Sequence, residues 1–164
     1  MHNDDALLLR VLNDQRNGVL AVVEGLADDA LRQPVLPSGW HCLGLFQHLT
    51  INERYWMRWA VGGEQIPMHY DDMVDNDWVV APGLDAETVF GRYRADVEAA
   101  NEVISSIPFS DAPRNVDPNW DVWFRRTGPV DSVRWIVLHM IEETARHAGH
   151  LDAVRELLDG RTAL

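Results

Sequence analysis

Apolar residues recur every three or four positions along four long stretches of the chain, which is the spacing of an amphipathic α-helix. The predicted helices run from Asp4 or Asp5 to about Leu26, from Gly39 (with Ser38 just before it) to about Val61, from about Asp85 to Ser106, and from Asp131 or Ser132 to about Asp159. Glycines follow the second and fourth stretches, as is usual where helices end. No stretch shows the regular alternation typical of a strand. The pattern therefore predicts an all-α protein, a four-helix bundle.

Two long connections separate these helices, at residues 62–83 and 108–129. Both contain Trp and Asp, including Trp78, Trp120 and Trp123. Connections of this length are uncommon in compact domains and often have a function. We expect both to fold over one end of a single domain that spans residues 1–164.

The fourth helix carries a polar stripe on its apolar side. On a helical wheel His147 falls inside the apolar arc, Glu143 at its margin, and His139 and His150 on its shoulder. A carboxylate beside a buried imidazole is costly unless a further group pairs with it. This helix is therefore expected to face a polar partner across the bundle.

The second helix provides such a partner in His48, which lies at the edge of its apolar face. One His from one helix and a Glu/His pair four residues apart on another are a suitable ligand set for a divalent cation. Three protein ligands would leave one coordination position open for water or substrate. A network of internal Glu–His hydrogen bonds would explain the same pattern, so the residues alone leave both interpretations open.

The segments GWHCLGLFQHLTINERYW and LHMIEETARHAGHLD resemble the DinB-like superfamily of metal-binding four-helix bundles. They are most similar to its mini-circle protein branch, which is related to the metal-binding domain of mycothiol-dependent maleylpyruvate isomerase. The resemblance spans nearly the whole chain and implies that His48, Glu143 and His147 bind a divalent metal. Zinc is the favoured ion and nickel the alternative. His150 matches a position near the site that is not a ligand, and no catalytic residue is identified.

The resemblance also implies a function. Members of the superfamily use low-molecular-weight thiols, such as mycothiol or bacillithiol, in S-transfer or isomerisation. The first hypothesis is therefore a metal-dependent thiol S-transferase or isomerase that takes a small-molecule thiol and an electrophile, with His139 or His150 orienting a ligand or accepting a proton. The alternatives are a non-catalytic, stress-related metal-binding module and a structural bundle whose polar stripe is a hydrogen-bond network or a dimer seam. A homodimer is expected.

The composition of the chain excludes several other classes of function and site. The chain has 14 Lys and Arg residues against 26 Asp and Glu, a net charge of −12, which argues against nucleic-acid binding. No apolar run is long enough to span a membrane, and the first residues lack a targeting pattern, so we expect a cytoplasmic protein.

The single cysteine, Cys42, excludes an intramolecular disulfide and is expected in the core. The acidic residues of the first long connection are expected to be solvated rather than to form a calcium loop; they are Asp71, Asp72, Asp75 and Asp77.

Overall fold

The computed structural model describes residues 3–73, 77–125 and 128–162. Within these ranges the chain forms α1 (Asn3–Val23), α2 (Asp28–Leu31), α3 (Cys42–Asn52), a π-helix (Glu53–Val61), α4 (Ala86–Ser105), α5 (Trp120–Trp123) and α6 (Val133–Asp159), and no strand. The prediction of an all-α bundle is confirmed. The described helices number more than four because α2 and α5 are single turns within the connections, and because the second long helix changes from α to π geometry after α3.

The predicted start of α3 is wrong by three residues. Gly39 has a φ of +82°, a left-handed conformation that cannot belong to an α-helix and that glycine adopts without a steric cost. The helix begins only after His41, whose backbone is extended and whose Nδ1 accepts a hydrogen bond from the Gly44 amide at 3.2 Å. An imidazole, rather than the hydroxyl of Ser38, therefore caps this helix.

The starts of α4 and α6 follow the sequence closely. Asp85 caps α4 by accepting from the Thr88 amide at 2.8 Å, and Ser132 caps α6. The first helix ends at Val23, about three residues before the predicted end, because the chain turns there and the Leu26 amide donates to the Val23 carbonyl.

The π-helix was not predicted from the sequence. Its hydrogen bonds span five residues, as between the Gly62 amide and the Met57 carbonyl at 3.0 Å, so side chains after Asn52 do not follow an α-helical wheel. Trp56 is buried, whereas Trp59 is only half-buried and stacks on Tyr55. None of the helices in the described ranges has the length and apolar character needed to cross a membrane.

The bundle core consists of two apolar clusters with polar side chains between them. The first cluster includes Leu49 of α3 and Ala148 of α6. The second includes Trp56 of the π-helix and Met140 of α6. Residues 50–55 and 141–147 therefore cross from one cluster to the other, and Glu143 and His147 of the candidate site lie on the second of these segments.

The first long connection is tied to the bundle around one buried carboxylate, Asp96 of α4. Asp96 accepts hydrogen bonds from Arg54, from Arg58 and from the Tyr70 hydroxyl, the last at 2.8 Å. The guanidinium carbons of Arg54 and Arg92 lie 4.6 and 4.3 Å from the centre of the Tyr70 ring. These contacts anchor the connection just before the segment that covers the site.

Candidate metal centre

Three side chains that the sequence singled out meet between α3 and α6. His48 Nε2 lies 3.5 Å from Glu143 Oε1, and His147 Nε2 lies 3.0 Å from the same oxygen. One potential ligand atom from each residue lies within 4.8 Å of the other two. The structure thus brings the predicted residues together, while their role as metal ligands stays a prediction.

The electrostatics of the cluster favour a bound cation. The hydrogen bond from His147, followed by that from His48, holds the pKa of Glu143 well below its usual range. Arg146 adds to this effect, with Nη1 at 2.8 Å from Glu143 Oε2. The carboxylate is therefore ionised at neutral pH, and its Oε1 places a negative charge between two imidazole nitrogens.

The donor set and its spacing fit a zinc ion. Imidazole nitrogen and carboxylate oxygen are both zinc ligands, and atoms bonded to a tetrahedral zinc lie about 3.4 Å apart. The two distances to Glu143 Oε1, 3.0 and 3.5 Å, lie on either side of that value. Three ligands leave one coordination position for another molecule, as in catalytic zinc sites.

The outer nitrogens of the two imidazoles differ in their surroundings. His147 Nδ1 lies 3.4 Å from His150 Nδ1. His48 Nδ1, in contrast, is buried and has no hydrogen-bond partner among the described residues. The Asp77 Oδ2 atom lies 3.9 Å from it, beyond hydrogen-bond distance. Sequence reasoning placed Asp77 in a solvated acidic loop, and no local pattern indicates that it approaches His48.

Two other acidic residues of this loop, Asp71 and Asp72, do not reach the site. Asp71 is exposed, and Asp72 forms a salt bridge with Arg92 at 2.8 Å. Asp75 lies outside the described residues. The expectation of a solvated loop therefore fits Asp71 and Asp72, while Asp77 lies beside a candidate ligand.

The loop segment 77–79 packs directly over His48. The Trp78 ring stacks on the His48 ring, with centroids 4.2 Å apart and an interplanar angle of 18°. Gln47 Nε2 donates to the Asp77 and Val79 carbonyls, at 3.0 Å each. Gly44 permits this close packing, since a Cβ atom there would lie 2.0 Å from the Trp78 carbonyl oxygen.

A cavity of about 350 Å³ opens beside the cluster. Its lining is aromatic and imidazole-rich and comprises Ser38, Gly39, Trp40, Trp78, Val79, His147 and His150. Because His147 contributes to both the cluster and the cavity wall, a small molecule in the cavity would lie next to a bound cation.

His139, one turn before Glu143, belongs to an aromatic cluster instead. Its ring stacks on Trp135 with centroids 5.3 Å apart and meets the edges of Trp56 and Phe124 at 4.7 and 5.1 Å. Burial lowers the pKa of His139. The residue therefore packs on the far side of Glu143 from the cavity lining.

Comparison with known families gives a match over most of the chain. The family model described as "MST: Mycothiol-S-transferase" matches residues 7–160, a range that includes all three residues of the candidate centre. No curated protein matches the chain.

Proposed function

We propose, from the premise that this chain belongs to the mycothiol S-transferase family, that it is a metal-dependent S-transferase. It would join the sulfur of a small thiol, of which mycothiol is the example that the family name provides, to a carbon electrophile. The observation that carries the proposal is the convergence of His48, Glu143 and His147 beside a cavity that reaches His147.

The residues of the cluster would hold the cation as three ligands. His48 and His147 would bind through Nε2, since both of these atoms face Glu143 Oε1. Zinc suits this set, and nickel is the alternative because it also accepts imidazole ligands. When bound, a divalent cation here would supply the Lewis acidity that lowers the pKa of a thiol and favours its nucleophilic thiolate form.

Neighbouring side chains would orient the ligands. Arg146 holds the second oxygen of Glu143, so that Oε1 stays directed at the imidazoles. His150 Nδ1 is placed to accept a hydrogen bond from the His147 Nδ1–H group, which would fix the tautomer and rotation of that ring. We therefore assign His150 an orienting role rather than proton transfer.

The cavity would receive the reacting ends of the two substrates. Its volume of about 350 Å³ lies in the usual range for small-molecule sites, and Trp40 and Trp78 supply apolar walls that exclude water. In the reaction the thiol proton passes to solvent, the sulfur forms a bond to the electrophilic carbon, and the bond from that carbon to its leaving group breaks.

The first test is the metal content of tag-free protein, measured beside Glu143→Gln and His147→Ala. We expect about one zinc or nickel ion per chain in the wild type and loss of the metal in both variants. Glu142→Gln is the matched control, because Glu142 also pairs with Arg146 but is largely exposed. Wild-type protein that contains no metal and takes up no added zinc would contradict the proposal and favour the hydrogen-bond network.

The second test is transfer itself. Mycothiol and monochlorobimane, a chloride-bearing electrophile, are mixed with the protein, and formation of the fluorescent thioether is followed. We expect acceleration by the wild type and by Glu142→Gln, loss of acceleration with a chelator, and no acceleration by Glu143→Gln. Metal-loaded protein that accelerates no reaction of any bacterial thiol would argue against an enzyme.

That last result would favour a metal-binding module without turnover. The ligands belong to two different helices, α3 and α6, so a cation would crosslink them and raise the melting temperature. The homodimer and the cytoplasmic location expected from the sequence stay predictions.

A further inference from the structure

We propose that Asp77 is a positioning residue for His48. Its carboxylate would accept a hydrogen bond from the His48 Nδ1–H group and so hold the imidazole with Nε2 directed at the cation. This inference rests on the proposed metal centre, and it concerns a residue outside the three candidate ligands.

The state of His48 creates the need for such an acceptor. Its Nε2 faces Glu143 Oε1 at 3.5 Å, and Asn52 Nδ2 also lies 3.0 Å from Nε2. A ring that coordinates through Nε2 must carry its proton on Nδ1. That nitrogen is buried and has no hydrogen-bond partner among the described residues, and leaving a buried donor unsatisfied is costly.

Asp77 is the carboxylate placed to meet this need. Its Oδ2 lies 3.9 Å from His48 Nδ1, so a shift of about 1 Å would complete an ordinary hydrogen bond. The other oxygen, Oδ1, lies 3.1 Å from His69 Nε2. The backbone carbonyl of Asp77 accepts from Gln47 of α3. Both the backbone carbonyl and Oδ1 of Asp77 are therefore held, and the other carboxylate oxygen, Oδ2, is the one directed at His48.

The next residue restrains the same ring. Trp78 stacks on the face of the His48 imidazole at 4.2 Å, which limits its tilt, while a bond from Nδ1 to Asp77 would fix its rotation. His147 already has a comparable arrangement, with His150 at its outer nitrogen. Metal-bound histidines usually donate their other ring N–H to a carboxylate, a carbonyl or water. Asp77 would supply that partner for His48.

The test compares the zinc dissociation constant of the wild type with those of Asp77→Ala and Asp77→Asn, measured by competition with a chromophoric chelator. We expect Asp77→Ala to weaken zinc binding about 10- to 100-fold, the usual cost of losing such a partner. Asp77→Asn should fall between the two, because it keeps one acceptor oxygen without the charge. Asp71→Ala, which removes an exposed carboxylate from the same loop, should bind zinc as the wild type does.

A second measurement separates positioning from general loosening of the loop. In ¹⁵N-labelled, zinc-loaded wild type, the His48 Nδ1–H should give a slowly exchanging, downfield proton signal. We expect that signal to be lost in Asp77→Ala. In Asp72→Ala, which loses the salt bridge that ties the loop to Arg92 and keeps Asp77 with its own contacts, the signal should persist.

The outcomes distinguish this inference from the proposed function. Weaker zinc binding with loss of the His48 signal supports the positioning role. Asp77→Ala that binds zinc within twofold of the wild type, or that keeps the signal, overturns that role and leaves the metal centre intact. A wild type that takes up neither zinc nor nickel overturns the proposed function and this inference with it; if only nickel binds, the same comparison is made with nickel. Zinc binding without thiol transfer contradicts only the enzymatic activity. The positioning role is then still decided by comparing the zinc dissociation constants of the wild type and the Asp77 variants.

Discussion

Cys42 and Glu143 are both withdrawn from water, yet their surroundings stabilise opposite protonation states. Cys42 lies in an apolar cluster at the start of α3, and burial raises the pKa of its thiol to about 11. Glu143 has imidazole and guanidinium partners, which hold its pKa well below the usual range. The cysteine is therefore neutral and inert, while the carboxylate is charged and available to a cation. The sulfur in the proposed reaction would come from a substrate rather than from the protein.

We expect Cys42 to be unreactive in the folded protein. At pH 8 its thiol stays protonated because the pKa of about 11 is well above that pH, and only the thiolate is nucleophilic. A chromogenic disulfide reagent should label it only after unfolding in guanidinium chloride, and Cys42→Ala should keep full thiol-transfer activity. Rapid labelling of the native protein at pH 8 would contradict this expectation.

At the scale of elements, α3 is shaped to accept a loop. Gly44 lies under the Trp78 backbone, where a Cβ atom would be 2.0 Å from the carbonyl oxygen. At Gly91 of α4 an added Cβ would have no such neighbour within 4 Å among the described residues. The two glycines therefore have different roles, although both lie within helices and look alike in the sequence.

Substituting these two glycines by alanine should have different effects on zinc binding and stability. Gly44→Ala should push segment 77–79 away from α3, separate Trp78 from His48, and weaken zinc binding. Gly91→Ala should leave zinc binding unchanged and stabilise the protein by about 0.5–1 kcal/mol, because alanine has the higher helix propensity. Chelator competition and urea unfolding measure the two effects. Unchanged zinc binding in Gly44→Ala would show that the loop does not support the site.

At the scale of the whole molecule, a buried ion pair crosses the bundle between the two apolar clusters. Arg16 of α1 donates through Nε to Glu53 Oε1 at 2.8 Å, and both side chains are 1% exposed. Arg16 also donates to Asn13 and to Asn101 of α4. This one side chain therefore links α1, the π-helix and α4.

Removing one member of this pair should cost more than removing both. Arg16→Met or Glu53→Met alone leaves a buried charge without its partner, which typically costs about 3–5 kcal/mol. The double variant should recover much of that loss, since an apolar pair of similar volume needs no charge compensation. Urea unfolding with linear extrapolation gives the free energies. A double variant as unstable as the sum of the two single variants would show that the two charges are not coupled.

Some features of the fold and the site could be predicted from the sequence because they depend on neighbours along the chain. Apolar spacing identified the long helices, and polar residues such as Asp85 and Ser132 indicated where two of them begin. Glu143 and His147 are four residues apart, so one helix brings them together wherever it packs. The position of His48 at the edge of an apolar helix face made it their partner, and the resemblance selected the same three residues. The structure places the three side chains side by side.

The rest depended on contacts between distant parts of the chain. The π-helix, the imidazole cap of His41, and the approach of Asp77 to His48 have no local signal in the sequence. Asp77 comes to the site because Gly44 leaves room for the Trp78 backbone. Gln47 also holds the loop by donating to the carbonyls of Asp77 and Val79, the residues on either side of Trp78. Helical periodicity reports only which face of a helix is buried. Which loop covers that face is decided by packing and hydrogen bonds that form once the helices have assembled.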